Sequence, residues 1–238
     1  MNKKKSNKPI YLQLREIIRN KIEEGEYMPG TAIPSENKLS EVFGVNRITT
    51  RNAVDALVNE GLLRRVQGKG VFVVGNKNVV SIDKHGGFIN DINDSRASVK
   101  EIKKIVRPAG NKYATMFDID IDDEIYFLYH LQYIGDEICS INELYITKNV
   151  LPLLDTINTS VFSFKDILSF YGVKLKKIKQ KLSIIKGDKK IKKIFHVPNS
   201  VAIMTLESNY YNENDKIIAH SISYIRSDIQ SFTVNLHK

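Results

Sequence analysis

The sequence predicts an α+β protein in two parts: a winged helix-turn-helix head, then a larger antiparallel sheet with helices on one side. Three observations lead there. A short amphipathic segment, a glycine and a second amphipathic segment run from Pro34 to Leu57. Two strand-like apolar runs then flank Gln67-Gly68-Lys69-Gly70. Beyond them, a pattern of helix, turn, long strand, polar turn and returning strand occurs twice. The expected boundaries are a head over residues 1–75, a linker over 76–87 and a second domain over 88–238.

In chain order, Lys3-Lys4-Lys5 and Lys8 form a short basic arm. Pro9 opens a helix in which Ile10, Tyr11, Leu14, Ile17, Ile18 and Ile22 recur at helical spacing. Ser35 can cap the next helix, and Leu39, Val42 and Phe43 give it an apolar side. Gly44 stops it, because glycine tolerates the left-handed cap conformation. Asn46 caps the helix that follows. At about 100° per residue, Thr50, Ala53, Val54 and Leu57 face the core. Arg47, Ile48, Arg51, Asn52 and Asp55 face away, so two arginines occupy the outward side near the N-terminus, with Asn46 and Thr49 at its start. Arginine can hold a guanine edge through two hydrogen bonds, and threonine or asparagine can hold phosphates or bases. The runs 62–66 and 71–74 are strands of a hairpin whose glycine-rich tip lets backbone come close to DNA, with Gln67 and Lys69 supplying contacts. A helix-turn-helix also occurs in plain helical cores, and an outward arginine is commonly just solvated. The succession of helix, glycine turn, arginine-bearing helix and basic hairpin is what singles out DNA.

Residues 75–83 are polar without a clear period and read as linker; Gly86-Gly87 reads as a hinge or turn before a short helix holding Phe88, Ile89 and Ile92. In the remainder, Phe117, Ile119, Ile125, Leu128 and Tyr133 match Phe195, Val197, Ile203, Leu206 and Tyr211 at an offset of 78. After one inserted residue, Asp136, Ile138, Tyr145 and Ile146 match Asp215, Ile217, Tyr224 and Ile225 at an offset of 79. Alternation and the turns at Gly135-Asp136 and Asn214-Asp215 make each copy a hairpin, and two hairpins can share one sheet. Between the copies, Ser163 and Asp166 form a capping pair for a helix carrying Ile167, Leu168 and Phe170, which ends at Tyr171-Gly172.

The chain has 238 residues, 42% of them hydrophobic, enough to bury a core in each part. Its formal charge of +9 suits a polyanionic partner. Cys139 is the single cysteine, which excludes an intrachain disulfide and a cysteine-based zinc cluster and agrees with a cytoplasmic protein. No stretch approaches the roughly 18 apolar residues of a membrane span, so no membrane partner is expected. The lysine-rich run 174–193 is the strongest charge feature; it reads as a solvated strand and helix face, with DNA or an acidic effector as alternatives.

Ile33-Pro34-Ser35-Glu36, Phe43-Gly44-Val45-Asn46-Arg47, Thr49-Thr50-Arg51, Gly61-Leu62 and Gln67-Gly68-Lys69-Gly70 closely resemble the signature of GntR-type winged-helix repressors. The resemblance covers roughly Pro9 to Val74. It implies contacts with a double-stranded DNA operator at Ser35, Asn37, Asn46, Arg47, Thr49, Arg51, Gln67, Gly68, Lys69 and Gly70. Asn37 stands where the family usually has arginine. The second part is similar to the UTRA effector-sensing domain of the HutC branch, in architecture and at Tyr126 to Tyr145, Tyr171-Gly172 and Ser221 to Asp228. That domain resembles chorismate lyase in fold but serves as a ligand sensor and a dimerisation module, which implies a homodimer.

Relatives that bind phosphorylated sugars use an Arg-x-Arg pair on the first long strand; His130 and Gln132 occupy the corresponding positions. Two fewer guanidiniums remove the bidentate grip on phosphate. The resemblance also points to Glu143, Ser163, Tyr210, His220 and Tyr224 as effector contacts, with His220 where the family often has glutamate. The alternative for both histidines is a satisfied polar residue on a sheet, and for Ser163 a plain helix cap. Together these features imply an effector-responsive transcriptional regulator, a repressor released by a sugar or sugar phosphate, with no metal and no cofactor. No G-x-S-x-G, H-E-x-x-H or P-loop motif is present. The rival expectation is an enzyme of unfamiliar type that carries a winged helix to dock on DNA.

Overall fold

A computed structural model describes residues 8–75 and 96–230. The expected linker, the Gly86-Gly87 turn and the helix of Phe88, Ile89 and Ile92 lie outside the described residues, as does the lysine arm before Lys8. The chain divides into two compact units.

In the first unit, α1 (Ile10–Glu23), α2 (Glu36–Phe43) and α3 (Arg47–Asn59) precede a hairpin of β1 (Leu63–Val66) and β2 (Gly70–Val73). Leu14, Ile18, Leu39, Ala53, Val54, Leu57, Leu63 and Val73 are each at most 2% exposed and form one core. The four residues placed inward on α3 by angle are all buried. Ser35 accepts a hydrogen bond from the Lys38 amide, and Gly44 ends α2 at φ 64°, a left-handed conformation that strains any residue with a Cβ. One expectation fails in α2. Val42 is 62% exposed, because the core stripe of this two-turn helix runs through Leu39 and Phe43 and leaves Val42 on its rim. Ile10 and Ile17 are likewise exposed on α1.

The second unit holds β3 (Ala97–Pro108), α4 (Gly110–Phe117), β4 (Glu124–Ile134) and β5 (Glu137–Thr147). After a 3-10 turn and α5 (Phe164–Phe170) come β6 (Lys177–Ile185), α6 (Lys189–Phe195), β7 (Ile203–Tyr211) and β8 (Ile217–Arg226). All six strands pair antiparallel in the order β3-β4-β5-β8-β7-β6, so two copies of strand-helix-strand-strand meet at β5 and β8. The repeat extends to backbone detail: Asp118 and His196, 78 residues apart, both end their helices in the left-handed region at φ 55°.

Two features differ from expectation. Each copy begins with an edge strand, of which β3 was not foreseen. A β-bulge between Glu101 and Lys103 breaks its alternation, so the pattern in sequence loses its period. The helices also lie on both faces rather than one. α4 and α6 pack on one face, through Tyr113, Ala114 and Phe117 against Ile125, and through Phe195 against Leu131, Ile141 and Ile203. The segment leading into α5 covers the other, where the Tyr126 hydroxyl donates to the Pro152 carbonyl at 3.0 Å.

Candidate functional site

The head presents one continuous set of candidate contacts. Asn46 caps α3 by accepting the Thr49 amide at 2.7 Å, which leaves Arg47 and Arg51 projecting from the first turns. Ser35, Asn37, Asn46, Arg47 and Arg51 are exposed, and Thr49 is half-buried. At the hairpin tip Gln67, Gly68, Lys69 and Gly70 are all exposed, with Gly68 at φ 71° and Gly70 at φ 117°. Only glycine takes such a turn without strain, so the tip is bare backbone flanked by Gln67 and Lys69.

One structural residue of the head carries no signal in the sequence. Arg65 on β1 donates to Glu36 at 2.6 Å and to Asp55 at 2.7 Å, which ties the hairpin to α2 and α3. Two partners at sequence separations of 29 and 10 leave no local signature. Ile48, outward as expected, is 73% exposed beside Arg47, an apolar group suited to a thymine methyl.

In the second unit the sheet separates the seven effector candidates. Cross-strand partners in an antiparallel sheet share a face, and side chains alternate along each strand. Glu101, His130 and Asn142 are partners, as are Gln132 and Ser140, and Tyr210 and Ala219, all on the α5 face. Glu143 partners Tyr129 and Ile222, and Tyr145 partners His220, on the α4/α6 face with Tyr224. The structure therefore brings Glu143, His220 and Tyr224 together, and sets His130, Gln132 and Tyr210 apart from them.

The α5 face is closed. His130, Gln132 and Tyr210 are at most 6% exposed. His130 Nε2 lies 2.7 Å from Thr159 Oγ1, and Thr159 in turn donates to Glu101. Burial, opposed by Glu101 and reinforced by Lys104, lowers the His130 pKa to about 4, so the ring is neutral at pH 7. Gln132 Oε1 accepts from the Ser140 hydroxyl at 2.9 Å. Tyr210 stacks edge-on against Phe164, and burial pushes its hydroxyl up to about 12. The cavity between His130, Leu128, Leu144, Phe162 and Ile167 is about 10 Å³, scarcely room for one water. Ser163 caps α5: its hydroxyl accepts the Asp166 amide at 3.1 Å while Asp166 accepts the Ser163 amide at 3.2 Å.

The α4/α6 face is half-open along the central strands. Tyr129, Glu143, Tyr145, Glu207, Asn209 and Tyr224 are all partly exposed there. The Tyr145 hydroxyl donates to Glu143 at 2.9 Å, and its ring stacks on Tyr113 with centroids 4.2 Å apart. Burial, then hydrogen bonds with Tyr113 and Glu143, raise the Tyr145 pKa far above the usual phenol range. His220 Nδ1 lies 2.7 Å from Asn209 Oδ1, and Nε2 lies 3.8 Å from Glu207. Burial lowers the His220 pKa against the pull of Glu207. The result is a partly open face that combines aromatic rings with two carboxylates and an amide. Tyr129, Tyr145, Glu207 and Asn209 were not foreseen: the first two stand by Glu143 in one hairpin, the last two by His220 in the other, and only the pairing of β5 with β8 joins the two sets. Among the described residues no helix is long and apolar enough to cross a membrane.

Comparison with known proteins agrees with both units. Residues 10–73 match the gntR family of bacterial regulatory proteins, and residues 95–230 match the UTRA domain. The HTH-type transcriptional regulator YurK of Bacillus subtilis is 26% identical over 97% of this chain and 96% of its own. MngR of Escherichia coli K12, the mannosyl-D-glycerate transport/metabolism system repressor, is 23% identical over 96% of each chain. The crystal structure of PhnF from Mycobacterium smegmatis shares the fold, with a TM-score of 0.56 and 16% identity over 96% of this chain and 99% of that one. These relatives are regulators rather than enzymes, so the expectation of a DNA-docking enzyme falls away. With its DNA-reading head and its effector-binding sheet domain, the chain belongs to the GntR family of bacterial transcriptional regulators, in the branch that carries a UTRA domain.

Proposed function

We propose that this regulator is a repressor that binds a pseudo-palindromic operator as a homodimer and leaves it when a sugar-type metabolite occupies the half-open face of β5 and β8. The observation that carries this reading is the half-open face of β5 and β8. Tyr129, Tyr145 and Tyr224 offer flat apolar surface, and Glu143, Glu207 and Asn209 offer acceptors for hydroxyl groups. Two carboxylates on that face favour an unphosphorylated ligand, since a phosphate there would meet like charge. MngR, named for mannosyl-D-glycerate, supports a sugar derivative. His130 and Gln132 then belong to the domain core, and Ser163 to its helix cap, rather than to the effector contacts.

On DNA, Arg47 and Arg51 read base edges, Asn46, Thr49, Ser35 and Asn37 position the helix, and the tip from Gln67 to Gly70 meets the backbone. Two heads are needed because one small module supplies too few base contacts for a rare site. Ligand binding shifts the spacing of the heads through the segment 76–87, and that coupling is typically about 1–3 kcal/mol. Calorimetry with matched sugars and sugar phosphates, followed by operator titration with and without the sugar that binds, tests the reading. The sugar should bind more tightly than its phosphate and weaken operator binding without being altered. Exclusive binding of the phosphate, or an unchanged operator affinity, would overturn it. Arg47→Ala and Arg51→Ala should each weaken operator binding by about 1–3 kcal/mol.

A further inference from the structure

The whole chain carries a formal charge of +9, and residues 174–193 alone carry the same net +9, from ten lysines and one acid, Asp188. Everything else in the sequence sums to zero. Asp188 caps α6 by accepting the Ile191 amide at 2.8 Å. Three of the lysines have structural partners. Lys176 and Lys177 meet Asp215 and hold its carboxyl down to about 2, and buried Lys192 donates to the Asn199 carbonyl. Lys179, Lys181, Lys186, Lys189, Lys190 and Lys193 are exposed, and none of them forms an ion pair among the described residues.

These lysines share one side of the domain. β6 is an edge strand, and Lys177, Lys179 and Lys181 project from its α4/α6 face at intervals of about 7 Å. The ammonium groups of Lys177 and Lys179 lie 4.8 and 5.4 Å from the Tyr211 ring centroid, which holds both in place. α6 packs on that same face. Glu207, the cross-strand partner of Lys181, is the acid beside these lysines on the strand face. Solvated surfaces intersperse the two signs of charge, whereas so large an excess of one sign repels itself and is useful chiefly for attracting its opposite.

We infer that the lysine surface of β6 and α6 is a second, sequence-independent contact for the phosphate backbone of duplex DNA, additional to the winged head. Duplex DNA presents one negative charge per about 1.7 Å of axis, and the same chain carries a DNA-binding head. An anionic membrane fits less well. Of the exposed apolar residues of the same strand, Leu182 and Ile184 stand on the opposite face, and only Ile185, 37% exposed at the strand's end, shares the basic face, so the strand brings it a single apolar anchor.

The test compares the full chain with its Lys179→Gln, Lys181→Gln, Lys189→Gln, Lys190→Gln, Lys193→Gln variant, on the bare operator and on the operator with about 20 added flanking base pairs. The slope of log affinity against log salt should become shallower by about 0.9 for each phosphate that is no longer neutralised, so by at least about 2. The longer duplex should bind wild type more tightly than the bare operator and should lose that advantage in the variant. The preference for operator over unrelated sequence should persist, because the head is untouched. The corresponding five-fold Lys→Arg variant should restore the slope. An unchanged slope with intact thermal unfolding overturns the inference, as does a variant that matches wild type on both duplexes but, in a parallel titration, has lost wild-type binding to vesicles of anionic phospholipid. Loss of operator preference would instead indict the head.

Discussion

The two faces of the six-stranded sheet come from the same strands and differ in what they can do. On the α5 face, polar side chains find partners within the protein: His130 with Thr159, Gln132 with Ser140, and Asn142 donating to Ser140 at 3.0 Å. On the α4/α6 face the two helices leave the middle of β5 and β8 partly uncovered, and Glu143, Glu207 and Tyr224 keep an open side. Polar residues on a sheet therefore do not mark a binding site by their type. A site is marked by polar groups whose hydrogen-bonding capacity the fold leaves partly unused.

Four measurements would break or sharpen this contrast. Leu144→Ala, on the closed face at 1% exposure, should destabilise the protein by about 2–5 kcal/mol in urea unfolding. A small cost would mean that the face is not core. The pH dependence of stability should come next. His130 is neutral when folded, with its pKa lowered to about 4 by burial, which Lys104 reinforces and Glu101 opposes. Its contribution is thus whole above about pH 6.5 and is lost as pH falls towards 4, by roughly 3 kcal/mol. His130→Gln should flatten that part of the profile, and an unchanged profile would place the acid sensitivity elsewhere.

On the open face, Glu143→Gln should weaken binding of the unphosphorylated sugar by about 1.5–3 kcal/mol, the range for hydrogen bonds to a charged group, with little change in unfolding. If stability falls and affinity holds, the roles of the two faces have been exchanged. The smallest effect belongs to Ser163→Ala. Loss of the cap should cost about 1 kcal/mol of stability and leave ligand affinity alone. A loss of affinity would restore Ser163 to the effector site.

Much of the head was legible because its signals are local. A capping serine, a left-handed glycine, an asparagine cap and an inward stripe at Thr50, Ala53, Val54 and Leu57 are each written within a few residues, and short-range geometry dictates the outcome. The repeat and its hairpins were legible for the same reason, since alternation and turn residues are local too. The sequence by itself thus determined the fold class, the family and the helices of the head.

Only the tertiary structure decided which face of the sheet is left partly open. Alternation along β4 puts His130 and Gln132 on one face, as the sequence predicts, but does not say whether that face is covered. Coverage depends on where the segment between β5 and α5 lies, and on the pairing of β5 with β8 across some eighty residues of chain. The bulge in β3 and the ion pairs of Arg65 were hidden likewise. A side chain's type and spacing are properties of its own strand, whereas its exposure is set by whatever packs against it from elsewhere in the chain.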